Sequence, residues 1–260
     1  MIFKILTLFP EMFEGVLNSS ILKRAIGNKL IEVKLINIRD HTKDKYNRTD
    51  TPPIGGGAGL IMKCQPIIDA LKANSTPTTH KILLSPRGET YKQEKAKELA
   101  QNYDDILILC GHYEGIDERV YSYFDEIISI GDYILTGGEI AALALIDSVS
   151  RLKDGVITKE STQEESFENS LLEYPQFTEP YDFEGQKVPD ILYSGNHKAI
   201  QMWRKKESLR LTKKYRQDLF DTLSLSKQDK KLLDELESSE TPKWEKDAIL
   251  KGHKFIKNSK

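Results

Sequence analysis

Cysteine is scarce in this 260-residue sequence, and the two that occur, Cys64 and Cys110, have neither CxxC spacing nor histidine-rich neighbours. Small secreted domains rely on many disulfides, and structural zinc sites need several clustered ligands. We therefore expect no disulfide framework and no metal site held by protein side chains alone. A reducing cytoplasm is the location that fits this cysteine usage.

Long hydrophobic runs are also absent, since no stretch approaches the roughly 20 apolar residues that cross a bilayer. The opening residues, MIFKILTLFPEMF, reach Pro10 and Glu11 without a small-residue cleavage site, which favours a buried first strand over a signal peptide. The sequence predicts a protein without membrane association. Its hydrophobic content of 38% is sufficient for a substantial core.

Two common nucleotide-binding motifs are missing: no G-x-G-x-x-G follows a strand, and there is no G-x-x-x-x-G-K-[ST]. Glycines instead concentrate in two turns, Cys110–Val120 (CGHYEGIDERV) and Ile130–Glu139 (IGDYILTGGE), each preceded by an apolar strand. Turns at the carboxyl ends of neighbouring strands form ligand sites, and glycine lets the main chain approach a ligand closely. We predict one cofactor pocket built from these turns, and hence an enzyme. Spacing alone fits ordinary loops equally well.

Apolar and helical stretches alternate up to about residue 157, which predicts an α/β layer fold with a mostly parallel sheet. The predicted strands are Ile2–Phe9, Leu30–Ile38, Lys81–Leu84, Ile106–Cys110 and Glu126–Ile130. The predicted helices are Glu11–Lys29, Gln65–Ala73, Tyr91–Asn102, Ile116–Phe124 and Gly138–Leu152. The last helix is apolar nearly all round, so it belongs in the core or in a subunit interface.

The amino-acid composition changes after about residue 157. We predict a catalytic domain over 1–157, an acidic, proline-punctuated linker over 158–186, and a helical, basic domain over 187–260. In the last, the segment Asn196–Arg216 carries eight lysines and arginines against the single acid Glu207. Lysine and arginine contacts to phosphate dominate nucleic-acid affinity, although a solvated helix face has the same composition. Trp203 fits either a base-stacking role or the core. Ser226 and Asp229 resemble a capping box.

Several motifs together, in order, resemble the bacterial tRNA (guanine-N1)-methyltransferase family of the SPOUT methyltransferases. They are LTLFPEMF, IRDHT, GGGAG, LLSPRG, CGHYEGIDERV, SIGDYILTGGE, LIDSVSRL, ESF and SGNHKAIQMWR. The resemblance implies a parallel-sheet α/β domain with a deep trefoil knot, followed by a small helical C-terminal domain. It also implies a homodimer that holds tRNA between its subunits. Nothing in the periodicity predicts a knot, because knots are rare exceptions among folds.

The activity that the resemblance implies is tRNA methylation. The methyl group would pass from S-adenosyl-L-methionine to N1 of the guanosine immediately 3′ of the anticodon, position 37. By the same resemblance, the cofactor-binding residues are Leu84, Ser85, Pro86, Gly111, Tyr113, Gly115, Ile130, Gly131, Asp132, Tyr133, Ile134, Leu135, Gly137, Gly138 and Ala141. A magnesium requirement is indicated only by the resemblance.

Guanine N1 is a poor nucleophile while it carries its proton, so the reaction needs a base and a group that stabilises charge on O6. The family has an aspartate before Ser-Phe in the linker, whereas this chain has Glu165 before Ser166. Glu165 is the predicted base, with Glu164 as its competitor. Arg151 matches the family's functional arginine, and an i,i+4 pair with Asp147 is its structural alternative.

The predicted RNA-binding residues comprise Gly55, Gly56, Gly57, His197, Arg204, Lys205 and Lys206. The three glycines belong to GGGAG, which is either a flexible connector or a mobile loop facing RNA. Family members often have proline where Ala58 stands and arginine where His112 stands. Two rival functions remain open at this point: an RNA-binding protein without catalytic activity, and a knotted methyltransferase that acts on ribosomal RNA or a ribose hydroxyl.

Overall fold

The computed structural model describes residues 1–158, 165–238 and 240–256, apart from the side chains of residues 168 and 253–256. It divides into two compact units, Met1–Lys159 and Glu160–Lys260. Glu164, the competitor for the role of base, lies outside the described residues. Within the described part of the chain, no helix is both long enough and apolar enough to cross a membrane.

The first unit is built on a five-stranded parallel sheet in the order β2-β1-β6-β5-β7. Its strands are β1 (Ile2–Thr7), β2 (Glu32–Asn37), β5 (His80–Thr90), β6 (Asp105–Cys110) and β7 (Glu126–Ser129). The helices around it are α1 (Glu14–Leu17), α2 (Ser20–Gly27), α3 (Cys64–Asn74), α4 (Gln93–Asn102) and α5 (Glu139–Ser150). The predicted parallel α/β sheet is therefore confirmed.

Each face of the sheet buries its own core, because successive side chains along a strand point to opposite sides. Ile106 and Ile108 of β6 join a cluster that contains Leu145 of α5. Leu107 and Leu109 join a second cluster that contains Ile67 of α3. The continuous apolar run of β6 thus reflects burial on both faces, as is usual for the interior of a parallel sheet.

The predicted helix Glu11–Lys29 is wrong as a single element. A 3₁₀ helix over Pro10–Phe13 leads into α1, and α2 starts only at Ser20. Ser19 is extended and Ser20 has a φ of 49°. The Ser19 hydroxyl donates to the Gly15 carbonyl at 2.6 Å. Serine and asparagine side chains compete with helical hydrogen bonding, which explains the break at Asn18-Ser19-Ser20.

Strand β5 extends further than predicted. Leu84 and Glu89 both pair with Ile128 of β7, so Ser85–Gly88 bulges out within the strand. Gly88 lies directly against the β7 backbone, where an added Cβ would be 2.5 Å from the Ile127 carbonyl. The sequence LLSPRG therefore does not end the strand. It contains a bulge, after which β5 continues. The predicted helix Ile116–Phe124 is a 3₁₀ helix over Glu118–Tyr123.

A small hairpin stands beside the sheet. Its strands, β3 (Asp50–Thr51) and β4 (Ile61–Met62), pair antiparallel, and the GGGAG segment lies in the loop between them. Gly55, Gly56 and Gly57 all have positive φ values, of 97°, 86° and 137°. L-residues rarely adopt that conformation, so the path of this loop depends on glycine.

Among its described residues, the second unit contains a short hairpin and four α-helices, besides two short 3₁₀ helices. The strands and α-helices are β8 (Asp182–Phe183), β9 (Gln186–Lys187), α6 (His197–Tyr215), α7 (Gln217–Phe220), α8 (Lys227–Glu237) and α9 (Lys243–Ile256). The capping box at α8 is present, because Ser226 and Asp229 exchange backbone and side-chain hydrogen bonds. Trp203 is buried with Ile191, Ala199 and Ala248, so it belongs to a core cluster.

Candidate active site

A cavity opens at the carboxyl ends of β5, β6 and β7, where the bulge and the two glycine turns converge. It encloses about 820 Å³, including space open to solvent. Cavities with mostly apolar walls and a few polar groups are typical of small-molecule and cofactor sites. The two turns predicted from sequence therefore share one cavity.

All the predicted cofactor-binding residues line this cavity except Asp132, which is exposed and outside its wall. Tyr133 and Ile134, its neighbours, line the cavity while remaining 55% and 82% exposed. They belong to its open side. The closed side comes from residues such as Leu84 and Ala141, which are buried.

The two glycine turns are joined by main-chain contacts. The Gly138 amide donates to the Gly111 carbonyl at 2.8 Å, and His112 forms an antiparallel bridge with Gly137. Gly138 lies so close to β6 that an added Cβ would be 2.8 Å from the Cys110 Cα. These contacts fix the relative positions of the two turns and so define one wall of the cavity.

A buried carboxylate lies directly behind this junction. Glu139, the first residue of α5, is fully buried and accepts a hydrogen bond from the Thr7 hydroxyl at 2.8 Å. An added Cβ at Gly137 would overlap the second carboxylate oxygen, Oε2. Hydrogen bonding of a buried carboxylate offsets part of its desolvation cost. The pair links the end of β1 to the start of α5.

The hairpin with GGGAG is tied to the first glycine turn. The Met62 amide donates to the Gly115 carbonyl at 3.0 Å, the Glu114 amide to the Leu60 carbonyl at 3.1 Å, and the Asp117 amide to the Met62 carbonyl at 3.0 Å. The hairpin and the cavity turn are therefore one connected backbone layer. Gly55–Gly57 lies at the outer, exposed end of it.

The thiol pKa values of the two cysteines disfavour a nucleophilic role for either side chain. Burial raises the pKa of the Cys110 thiol well above its ordinary value. Burial, followed by the adjacent Asp117 carboxylate, also raises the pKa of the Cys64 thiol. Arg119 donates two hydrogen bonds to Asp117 and holds the pKa of that carboxyl well below its usual range. Because the thiolate is the reactive form, a raised pKa disfavours reaction at either thiol.

Arg151 caps the C-terminus of α5, and its amide donates to the Asp147 carbonyl at 3.1 Å. It belongs to the first unit and does not line the cavity. This bond belongs to the helix backbone, so the side-chain pair of Arg151 with Asp147 stays a prediction. The position at the helix end is fixed by the preceding turns of α5, which are buried at Val149 and Ser150.

Glu165 begins a tight turn in the second unit. The Phe167 amide donates to the Leu171 carbonyl at 2.7 Å, and the Glu173 amide donates to the Ser166 hydroxyl at 3.0 Å. Phe167, Asn169 and Ser170 have φ values of 72°, 53° and 58°. Left-handed conformations cost free energy in residues other than glycine and are often found at functional sites. The turn is anchored by Leu171, which is buried against Leu209 and Leu232.

The basic helix α6 uses most of its cations inside the second unit. Lys206 is buried and pairs with Glu245 at 2.5 Å, which makes it a structural residue and removes it from the surface available to RNA. Lys205 lies 3.7 Å from Asp229. Arg204 lies over the Tyr174 ring at 4.5 Å. His197 is exposed at the first turn of α6.

Sequence reasoning did not assign several residues that line the cavity: His112, Glu114, Ile116, Tyr121, Ile128, Ser129 and Thr136. Five of them, His112, Glu114, Ile116, Ser129 and Thr136, lie inside the two quoted motifs, where only some of the residues were assigned to the cofactor. Tyr121 had no such signal. It reaches the cavity from the 3₁₀ helix that follows the first turn, and its hydroxyl lies 3.4 Å from the Ser85 hydroxyl.

The parallel sheet places the first unit in the α/β class, in which ligands commonly bind at the carboxyl edge of the sheet, where the cavity lies. Comparison with known proteins identifies the family. A family model described as tRNA (Guanine-1)-methyltransferase TrmD matches residues 1–222, and the chain therefore belongs to the TrmD family. This finding confirms the resemblance in the sequence motifs.

Its relatives include proteins named tRNA (guanine-N(1)-)-methyltransferase. One from Clostridium acetobutylicum is 52% identical over 235 residues, covering 90% of this chain and 96% of the relative. One from Clostridium perfringens SM101 is 52% identical over 231 residues, covering 88% and 97%. One from Caldicellulosiruptor saccharolyticus is 53% identical over 232 residues, covering 88% and 94%.

Proposed function

We propose that this chain is a tRNA methyltransferase that transfers a methyl group from S-adenosyl-L-methionine to N1 of guanosine 37, immediately 3′ of the anticodon. The observation that carries the proposal is the cavity itself. It lies where the two family motifs converge, and its walls include the predicted cofactor residues of both glycine turns. The names of the relatives support guanine N1 of tRNA as the target.

The lining of the cavity suits S-adenosyl-L-methionine in its chemistry. Apolar side chains such as Leu84, Ile130 and Leu135 form walls for a purine ring, and the glycine turns present main-chain donors and acceptors. When bound there, the cofactor supplies a methyl group from its sulfonium centre. Residues on the open side, Tyr133 and Ile134, would cover the bound molecule and exclude water.

Glu165 is the proposed general base. Methylation at N1 requires loss of the N1 proton, and a carboxylate within hydrogen-bond reach can accept it as the new bond to carbon forms. The hydrogen bonds of the Ser166–Leu171 turn restrict the backbone beside Glu165. A restricted backbone supports a catalytic carboxylate, because general-base efficiency depends on geometry before pKa.

Arg151 is the proposed stabiliser of charge on guanine O6. Removal of the N1 proton leaves negative charge that delocalises onto O6, and a guanidinium placed there lowers the energy of the transition state. Arg151 follows the rigid, buried helix α5, which limits the motion of its backbone. Rigid supports favour precise placement of such groups.

The remaining parts of the proposal concern RNA, fold and assembly. Gly55, Gly56, Gly57, His197, Arg204 and Lys205 are the proposed RNA contacts, and a magnesium ion is proposed only from family membership. We propose a cytoplasmic homodimer whose interface includes the partly exposed Met12, Val16 and Ile140. A trefoil knot is supported by the chain path, since the segment after the edge strand β7 returns across the sheet to contact Gly111 and Thr7.

A tRNA transcript with guanosine at position 37 should accept a methyl group at N1, and the matched transcript with adenosine there should accept none. The reason is that adenine N1 carries no proton for the base to remove and has no O6 on which charge develops. Incorporation of labelled methyl, followed by nucleoside mapping, measures both. Absence of methyl transfer to the guanosine transcript would exclude the proposed activity. Transfer retained on the adenosine transcript would favour a methyltransferase with another target.

A further inference from the structure

The cations of α6, which dominate the basic character of the sequence, are mostly paired within the second unit. The pairs are Lys205 with Asp229, Lys206 with Glu245, Arg210 with Glu207, Lys213 with Glu237, and Arg216 with Asp218. An acidic partner competes with phosphate for each of these side chains. The strongest basic signal in the sequence therefore does not identify the most available basic surface.

Helix α9 offers such a surface. Lys243, Lys246 and Lys251 are exposed, and none has an ion-pair partner among the described residues. At 100° per residue, these lysines fall within about 140° of the helix circumference. Asp247 is the acid on that side, whereas Glu245 points inward to Lys206. We call this side, with Lys243, Lys246 and Lys251, the α9 lysine face.

The opposite side of α9 fixes the face to the body of the unit. Ala248 is buried with Ile191 and Trp203, and Trp244 packs at the edge of the same cluster. The Trp244 indole also donates to Glu235 at 3.0 Å. Gly252 contacts the Ser194 backbone so closely that an added Cβ would overlap it. The α9 lysine face is therefore held on the same folded unit as α6.

The sequence of this segment strengthens the charge argument. From Lys243 to the end, the chain has six lysines and two acidic residues, although the chain as a whole has a net charge of −2. The match to the family model ends at residue 222, so α9 lies outside the matched part of the chain. The positive charge is thus concentrated in a segment that family membership alone does not assign.

We propose that the α9 lysine face binds backbone phosphates of the tRNA substrate. The inference rests on the proposed function for the identity of its partner. Unpaired, exposed lysines on one side of a fixed helix complement a row of phosphates, and release of counterions from the RNA drives such contacts. The contacts are independent of base sequence, so the face contributes affinity for tRNA in general while guanosine 37 is chosen elsewhere.

The test uses the full chain with Lys243→Ala, Lys246→Ala and Lys251→Ala combined. These side chains are exposed and unpaired within the described residues, and alanine favours helix, so the fold should persist. The matched control combines Lys23→Ala, Lys72→Ala and Lys92→Ala, three exposed lysines of the first unit that also have no ion pair with any residue that the structure describes. A third variant replaces the three α9 lysines by arginine.

We expect the α9 alanine variant to reduce the slope of log affinity against log salt by about two, since each phosphate contact contributes roughly 0.7–0.9. KM for tRNA should rise several-fold, with kcat at saturating tRNA and affinity for S-adenosylmethionine unchanged. The control variant should retain the wild-type slope. The arginine variant should retain it as well, because guanidinium groups also bind phosphate.

Equal salt slopes for the α9 alanine variant and the control would overturn the proposal. So would a defect confined to binding phosphatidylserine vesicles, which would identify the face as a membrane contact. Failure of the proposed function gives a different pattern. In that case wild-type protein binds tRNA without methylating guanosine 37, and the salt slopes still report on the α9 lysine face.

Discussion

Replacing Glu165 by glutamine is expected to leave S-adenosylmethionine binding unchanged and to reduce methyl transfer by about 10²–10⁴-fold, the usual contribution of a general base. Glutamine keeps the shape and the hydrogen-bonding capacity of the side chain but cannot accept the N1 proton. Calorimetry measures cofactor affinity, and single-turnover transfer to a tRNA transcript measures the chemical step. A loss of cofactor binding would indicate that Glu165 has a structural role and is not the catalytic base.

Glu164→Gln is the matched control for this experiment, because it makes the same change at the neighbouring position. We expect its single-turnover rate to stay close to that of the wild type. A large loss in Glu164→Gln together with a small one in Glu165→Gln would reassign the base. Glu165→Asp adds information about reach, since the family has aspartate at this position. Activity in that variant would show that the shorter arm also reaches N1.

Gly138→Ala is expected to weaken S-adenosylmethionine binding by about 5- to 150-fold. The φ and ψ of Gly138, −80° and −6°, suit alanine, so the backbone conformation itself is not the obstacle. The added Cβ would lie 2.8 Å from the Cys110 Cα and 3.1 Å from the Gly111 amide nitrogen. Overpacking of this kind costs about 1–3 kcal/mol, and about 1.4 kcal/mol corresponds to tenfold in affinity.

The control is Gly27→Ala at the end of α2, where no atom outside the adjoining helix backbone lies within 4 Å of the added Cβ. It should bind the cofactor like the wild type and should be at least as stable, because alanine favours helix over glycine. Thermal unfolding of both variants separates a local effect on the cavity from global destabilisation. If Gly138→Ala bound the cofactor normally, the junction between the two turns would not determine the shape of the site.

The sheet was predictable because its strands are short, apolar and separated by helices. Residues 106–110 were predicted as a strand and form most of β6. Burial on both faces of the sheet requires the continuous apolar run from which the strand was predicted. The break at Ser19-Ser20 was not predictable from hydrophobic spacing, which continues across it. Local side-chain hydrogen bonding decided that boundary. The bulge at Ser85–Gly88 likewise depends on pairing with β7, which is remote in sequence.

Most residues that line the cavity were predictable, but from the resemblance of the motifs to a known family more than from the spacing of the glycines. Spacing alone fits ordinary loops as well as a cofactor pocket, and the contact of Gly138 with Gly111 shows only that the two turns meet. The burial of Glu139 had no signal, because a glutamate after two glycines usually faces solvent. Its partner, Thr7, lies at the far end of the sequence on β1.

Helix α6 shows a different limit. Its cations occur on every side, so no periodicity distinguishes the buried Lys206 from its exposed neighbours. The distinction arises from α9, whose Glu245 reaches Lys206 from 39 residues further along the chain. A pairing of this kind cannot be read from the basic segment by itself. It also explains why Lys206→Ala would be a poor probe of RNA binding.

The packing of α9 against α6 has a consequence for shortened forms of this chain. A protein that stopped at residue 222, where the family model ends, would lack Trp244, Ala248 and Glu245. Trp203 and Ile191 would then lie on the surface, and exposed apolar patches promote self-association. The end of the family model is therefore not a safe place to shorten the chain. We expect the shortened chain to self-associate more than the full chain, because α9 covers part of the core of the second unit.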